Sequence, residues 1–340
     1  MICYYCGADV TNSNTKCIVN THGNKVDICY PCFCNKNIAE CEKCHSDYEY
    51  NYTKNSYDTD YNSVCHKCYL NEHIRLSEDY VQLGWGYKPD PIFFGGDKNE
   101  ENTLFMGIEL ETDDGNESKI EEIKEFAINI GKFGYGMFWG KEDGSLSSNG
   151  VEFVSHPATL EYHKNTEDWK ILLNKIQEVG LKSNDCESCG IHIHMNRNYL
   201  TTEQTNKLDA LVNLYSRVFR RFARRNSRDY AIYNPDKHEN NLGRNNNHNS
   251  RYSCLNFHNE HTVEWRIFKG NTKYESIMAL FELIKGTCDF VKQEEITLPF
   301  IYGDKDDCKR AFKMFLEEQN FDYLPRYTEM CRVWRDLPQE

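Results

Sequence analysis

Four short segments of this chain alternate between apolar and polar residues, and a period of two restricts such segments to half-buried β-strands. In CGIHIHMN, residues 189–196, Ile191, Ile193 and Met195 point one way while His192, His194 and Asn196 point the other. Met106, Ile108 and Leu110 alternate with Gly107, Glu109 and Glu111. Val263, Trp265 and Ile267 alternate with Glu264 and Arg266, and Val151 and Phe153 flank Glu152. Strands of this kind imply a sheet with one apolar face on helices and one face carrying carboxylates, imidazoles and arginines. A merely solvated face carries Thr, Lys and Ser. Glu-x-Glu, His-x-His and Glu-x-Arg instead mark this one as a candidate active site.

Glu109 and Glu111 on one face repel unless cations lie between them, so a divalent metal is the economical reading of the pair. Between and after the strands, apolar residues at helical spacing predict helices over 117–131, 169–179, 202–225, 274–293 and 307–319, which back the sheet. Six arginines and no lysine fall between Arg217 and Arg228. In an acidic chain that concentration suggests recognition of phosphate or carboxylate by planar guanidinium forks, with Arg224, Arg225 and Arg228 at the helix end as the candidates. Residues 234–250 are Asn-rich with little apolar content and read as a loop, a candidate lid. RYSCLNF and TVEWRIF then read as a hairpin that brings Arg251 and Arg266 to the same face. Cys186 and Cys189 beside the His-x-His strand are expected to be structural thiols.

Ten of the sixteen cysteines precede residue 69, and eight of them form Cys3-x-x-Cys6, Cys29-x-x-Cys32, Cys41-x-x-Cys44 and Cys65-x-x-Cys68. Two thiolates at this spacing grip one side of a tetrahedral zinc, and a second pair closes the shell. The two halves repeat, so two structural zinc ions held by successive pairs are expected, supplying folding energy to segments too small for a core. Cys17, Cys34, His22, His45 and His66 are read as spares. Residues 1–72 contain six lysines and no arginine, which favours scaffolding or a protein partner over nucleic acid. The expected organisation is a tandem zinc-binding module over 1–72, a Gly/Pro-punctuated connector over 73–104 that starts with a short helix near 73–83, and a catalytic domain over 105–340. The connector's aromatics, Trp85, Tyr87, Phe93 and Phe94, are expected to pack on the domain that follows.

The formal charge of −13 argues against a general nucleic-acid surface, which rests on phosphate neutralisation by Lys and Arg. No stretch approaches the roughly 18 apolar residues of a membrane span, and the start MICYYCGADV lacks the regions of a secretory signal. A cytoplasmic location without a membrane partner is the expectation.

The ordered set GIELET, DGSL with GVEFVS, GIHIHMN, RYSCLNF and TVEWRIF resembles the amidoligases of the glutamine synthetase superfamily of carboxylate-amine ligases, many of them phage-encoded. The resemblance covers roughly residues 85–270 and lies in the combination rather than in any single motif. It implies an α+β fold with a glutamine synthetase-like antiparallel sheet backed by helices, the small tandem four-cysteine zinc domain preceding it. It implies that Glu109, Glu111, Glu152, His192 and Glu264 hold divalent cations, two magnesium ions, around the phosphates of ATP. His194, Arg251 and Arg266 match positions near phosphate or the substrate carboxylate, and Asp143 matches the Asp-Gly-Ser turn. VSHP departs from the family's Ser-Pro ending by His156. The implied reaction is ATP-dependent formation of an amide or peptide bond through an acyl phosphate, with small-molecule or peptide carboxylate and amine substrates, in a host cytoplasm if phage-encoded. A guanidino phosphotransferase on the same fold and a zinc adaptor with a non-catalytic ligase-like domain are the alternatives the residues leave open.

Overall fold

The computed structural model describes residues 3, 15–19, 25–35, 38–41, 45–49, 91–97, 102–116, 118–120, 122–123, 137–147, 149–184, 186, 189–225, 231–235 and 251–337. Those up to 49 form one compact unit and those from 91 onward a second. The expected helix at 73–83, Trp85, Tyr87, His22 and His66 lie outside them. So does most of the loop at 234–250.

In the first unit, β1 (Thr15–Val19), β2 (Lys25–Cys29), β3 (Ile38–Glu40) and β4 (Asp47–Glu49) pair in the order β2-β1-β4-β3, and α1 (Tyr30–Asn35) follows β2 directly. Cys3, Ile18, Ile28 and Cys29 make its buried cluster, with Val26, Cys32, Phe33 and Ile38 packed on it. Cys41 and Tyr48 are buried as well, and a unit whose described core is this small ordinarily needs a staple.

The second unit is built on a six-stranded sheet. β5 (Met106–Thr112), β6 (Phe138–Lys141), β7 (Val151–Ser155), β8 (Gly190–Asn196), β9 (Leu255–Asn256) and β10 (Thr262–Lys269) run in the order β6-β7-β5-β8-β10-β9, every pair antiparallel. The alternation read from the sequence holds: Met106, Ile108, Leu110, Ile191, Ile193, Met195, Val263 and Trp265 are all buried on one face. Around this core lie α2 (Leu160–Asn165), α3 (Asp168–Glu178), α4 (Thr202–Leu214), α5 (Ser216–Ala223), α6 (Tyr274–Lys292), α7 (Leu298–Tyr302), α8 (Lys305–Glu318) and α9 (Leu324–Met330). α6 meets the sheet where Cys288 Sγ lies 3.5 Å from Met195 Sδ, and α5 where the Phe219 ring lies 6.2 Å from Trp265. Phe93 packs edge-on against Phe105 at 5.0 Å and Phe94 stacks on Tyr162 at 4.9 Å, as expected for the connector's aromatics.

Three expectations are corrected. The single helix over 202–225 is two, because Tyr215 leaves helical geometry and donates its hydroxyl to the Ile301 carbonyl at 2.8 Å. The expected hairpin shrinks to the two residues of β9. Upstream of it, Tyr252 and Cys254 bond instead to Ile232, which draws residue 251 off the sheet. Finally, alternation in β10 breaks after Arg266. Trp265 pairs with Ile193 but Phe268 with Ile191, so the strand carries one extra residue as a β-bulge and the Trp265 and Phe268 rings stack on the same side. Residues 118–120 and 122–123 are helical, within the expected 117–131.

Candidate active site

Register places the polar residues in rows across the sheet. Glu109 of β5 lies opposite His192 of β8, and His194 lies between Gly107 on one side and Glu264 of β10 on the other. Cross-strand neighbours on one face sit close enough to interact directly. Ligand atoms of Glu109, His192 and Glu264 accordingly lie within 4.8 Å of one another. His192 Nδ1 is 3.3 Å from Glu109 Oε2 and 3.6 Å from Glu264 Oε1, while His194 Nε2 is 3.3 Å from Glu109 Oε1. His194 Nδ1 lies 3.1 Å from the Thr262 hydroxyl.

Two further groups fix Glu264. Asn256 donates to its Oε2 at 2.8 Å, and Arg266 Nη1 donates to Oε1. Arg266 Nε is buried without a hydrogen-bond partner among the described residues. A buried guanidinium N–H left over in this way is suited to an anionic ligand. Burial alone would raise the Glu109 carboxyl, but His194 and His192 outweigh it and hold it well below the usual carboxylate range.

On one flank, Glu152 is buried and pairs with Lys141 Nζ at 2.5 Å. Burial first, and the Glu109 charge second, push its carboxyl up to about 8 against the pull of Lys141. A carboxylic acid near neutrality holds a proton until an arriving cation displaces it to solvent. Lys141 itself is held above its ordinary value, Glu152 and Glu109 overcoming burial. Asp143 accepts from the Ser145 N–H at 2.8 Å and from its hydroxyl at 2.6 Å, a turn that sets its charge near both Lys141 and Glu152.

Glu111, the register partner of Glu152, accepts the Gly190 N–H from β8, and Arg225 lies beside that glycine. A Cβ at Gly190 would stand 2.5 Å from Arg225 Nη1, so the glycine is what lets the guanidinium approach the strand. Arg225 Nη1 reaches the carbonyls of Arg266 and Phe268 at 3.5 and 3.4 Å, on either side of the bulge. Burial lowers the Arg225 guanidinium pKa and Arg266 adds to the effect, while Glu111 opposes it.

The face therefore brings together Glu109, His192, Glu264, His194 and Arg266, flanked by Glu152 with Asp143 and by Glu111 with Arg225. It does not bring Arg251, which is exposed with its guanidinium 5.0 Å from the Tyr252 ring. Arg224 is exposed too and lines a different cavity. Arg228 lies outside the described residues. Lys141 and Asn256 escape sequence reading, because only the register of β6 on β7 and of β9 on β10 assigns them to these carboxylates. Beside the cluster opens a cavity of about 790 Å³, reached by Glu109, His194 and Gly107 and walled by Phe93, Phe105 and Trp139.

In the first unit Cys3, Cys29 and Cys32 have Sγ atoms within 4.8 Å of one another, and the Cys29 N–H donates to Cys3 Sγ at 3.3 Å. These are three of the four thiols expected at the first zinc; Cys6 lies outside the described residues. Of the second quartet Cys41 is described and buried, while Cys44, Cys65 and Cys68 lie outside. Cys17 and Cys34 are exposed, and His45 bonds Glu40 at 3.0 Å. In the second unit Cys186 is half-buried, its thiol raised by burial first and the Asp114 charge second, and Cys189 is buried.

A family model described as "Putative amidoligase enzyme" matches residues 220–287, a span that contains Arg225, Glu264, Arg266 and the bulge that follows Arg266. Among solved structures, a chain of the complex between prokaryotic ubiquitin-like protein Pup and its ligase PafA is similar at 10% identity and a TM-score of 0.31. The similarity covers 69% of this chain and 62% of that one, less than two thirds of its length. Comparison with curated proteins gave no match. Among the described residues no helix is long and apolar enough to cross a membrane.

Proposed function

We propose that this protein is an ATP-dependent carboxylate-amine ligase whose site is the polar face of the six-stranded sheet. One observation carries the reading: Glu109, His192 and Glu264 converge from three neighbouring strands, with Arg266 bonded to Glu264 and its Nε without an acceptor among the described residues. The amidoligase match over 220–287 supports it, since Glu264 and Arg266 fall inside that span.

The donor set fits a divalent cation. Two carboxylates and one imidazole supply the hard oxygen and nitrogen ligands that magnesium or manganese accepts. Glu152 and Glu111 complete the expected ligand set from the flanks. Bound there, such cations supply charge neutralisation to the phosphoryl oxygens of ATP.

The chain's own residues do the rest. Arg266 and Arg225 balance phosphoryl charge from the bulge side, and His194 presents a ring to the cavity where substrates meet the cluster. The terminal phosphoryl passes to a substrate carboxylate as the bond to ADP breaks. An amine nitrogen then attacks the acyl carbon, the bond to phosphate breaks, and phosphate leaves as the amide forms. The face works by holding these groups in place, because the acyl phosphate already contains its leaving group. The cavity sets the scale of the substrates, a small-molecule or peptide carboxylate and an amine. The thiols of the first unit hold structural zinc, and that unit serves as a scaffold or docks a protein partner.

The test is calorimetric titration of a non-hydrolysable ATP analogue with and without magnesium, on the native protein and on Glu264→Gln and His192→Ala variants that retain the native circular dichroism. Magnesium-dependent binding, weakened at least about tenfold by each substitution, is the expected result. A zinc-loaded, folded native protein that binds no nucleotide rules the ligase reading out.

A further inference from the structure

α5 buries Val218, Phe219, Phe222 and Ala223 toward the apolar side of the sheet, where Phe219 meets Trp265. Its outer side carries Arg217, Arg220, Arg221 and Arg224, and these border a cavity of about 470 Å³ together with Arg225, Arg335 and Asp336. Among the described residues, six guanidinium groups thus face one carboxylate in a chain whose formal charge is −13. Like charges at this density repel, and they persist where an anion is there to be bound or where something else holds them. The helix dipole favours cations in the last turn of α5, which accounts for Arg220 and Arg221. It does not account for Arg217 in the first turn, or for Arg335 arriving from the far end of the chain.

Several of these side chains are already oriented. The Arg220 guanidinium lies 4.4 Å above the Tyr233 ring. Arg221 donates to the Val333 carbonyl at 3.0 Å and pairs with Asp336, while Arg225 is anchored at the bulge carbonyls. Preorganised forks lower the ordering cost of binding.

We propose that this cavity is a second anion site, sharing Arg225 with the polar sheet face but built on Arg217, Arg220, Arg221, Arg224 and Arg335, and that it takes a compact polyphosphate group. Phosphate matches the planar forks bidentately. A concave site of this size suits two or three linked phosphates, whereas a long polyanion lying across the molecule meets the net negative charge of the rest. The polyphosphate can be free or the tail of a nucleotide, and the chemistry of capture is the same.

Tripolyphosphate is titrated calorimetrically onto the full chain without added divalent cation, using native protein, Arg217→Gln/Arg335→Gln, Arg217→Lys/Arg335→Lys and Glu264→Gln. Both replaced arginines are exposed, and thermal unfolding checks each variant. Native protein and Glu264→Gln should bind alike. The Gln pair should bind at least about tenfold more weakly, and the Lys pair, which keeps charge without the fork, should fall between. Displacement of tripolyphosphate by ATP in the Glu264→Gln protein identifies a nucleotide tail as the source, and failure to displace identifies a free polyphosphate. No binding by native protein, equal binding by the Gln pair, or loss of binding in Glu264→Gln overturns the proposal. The last outcome would locate tripolyphosphate on the sheet face.

Discussion

His163 shows how one side chain can make a fold sensitive to acid. It is fully buried, stacks on Phe281 at 4.1 Å, and lies with Nε2 at 2.8 Å from the Met106 carbonyl. Trp169 donates its indole N–H to His163 Nδ1 at 3.1 Å. One nitrogen must therefore donate and the other accept, which is the neutral ring. Burial pushes the imidazole down to about 4, the Met106 bond opposing. Burial likewise takes His156, which accepts the Ile92 N–H, down to about 3. With folded values below the unfolded 6.5, both contributions are complete above pH 6.5 and are lost as pH falls toward 4 and 3. Urea midpoints measured from pH 7 to 4 should show about 3 kcal/mol lost to His163 alone, and His163→Gln should flatten that part of the profile. Equal slopes in the two proteins would contradict the assignment. At this scale the sequence was legible where a face repeats, since Glu109, His192 and Glu264 each announce themselves by alternation. His163 and Lys141 do not, because burial and cross-strand register are properties of the assembled sheet.

Glu282 does for elements what His163 does for residues. It stands in the middle of α6, fully buried, and its carboxylate accepts the N–H groups of Asp322, Tyr323 and Leu324 at 3.0, 2.9 and 2.7 Å. Those donors open α9, where the first N–H groups of a helix have no partner of their own. Lys164 of α2 reaches the same carboxylate at 3.3 Å, so one side chain ties three helices. Glu282→Ala should cost about 1–3 kcal/mol in chemical denaturation, because it removes the shared acceptor of three helix-opening N–H groups, that of Leu324 buried, while Lys164 keeps Asp322 as its partner. A loss under 1 kcal/mol would mean water replaces the carboxylate. In the sequence Glu282 is a charged residue inside an apolar stripe, and nothing local tells it from a surface glutamate. The same limit explains the break at Tyr215 and the shortened hairpin. Each is decided by a partner far along the chain, Ile301 in one case and Ile232 in the other.

At the scale of the molecule, the two units rest on different physics. The second has a large apolar core, while the first gathers three thiols around a handful of buried side chains. With zinc held by these thiols as proposed, chelation should release amide protection in β1 to β4 and leave the sheet of the second unit protected, with hydrogen exchange as the readout. Uniform loss of protection in both would refute the division of labour. The cysteine spacing pointed to Cys3, Cys29 and Cys32, whose thiols the fold brings together, because such spacing is a local signal. The order of the six strands was not, since it depends on which distant segments pair.

That order has a consequence for how the protein comes into being. β8 lies between β5, which precedes it by about eighty residues, and β10, which follows it by nearly seventy. Partners so far apart close slowly. A growing chain on the ribosome carries Glu109 and His192 long before Glu264 is made. The trio of Glu109, His192 and Glu264, and any chemistry it supports, can exist only after β10 has emerged and found its place beside β8.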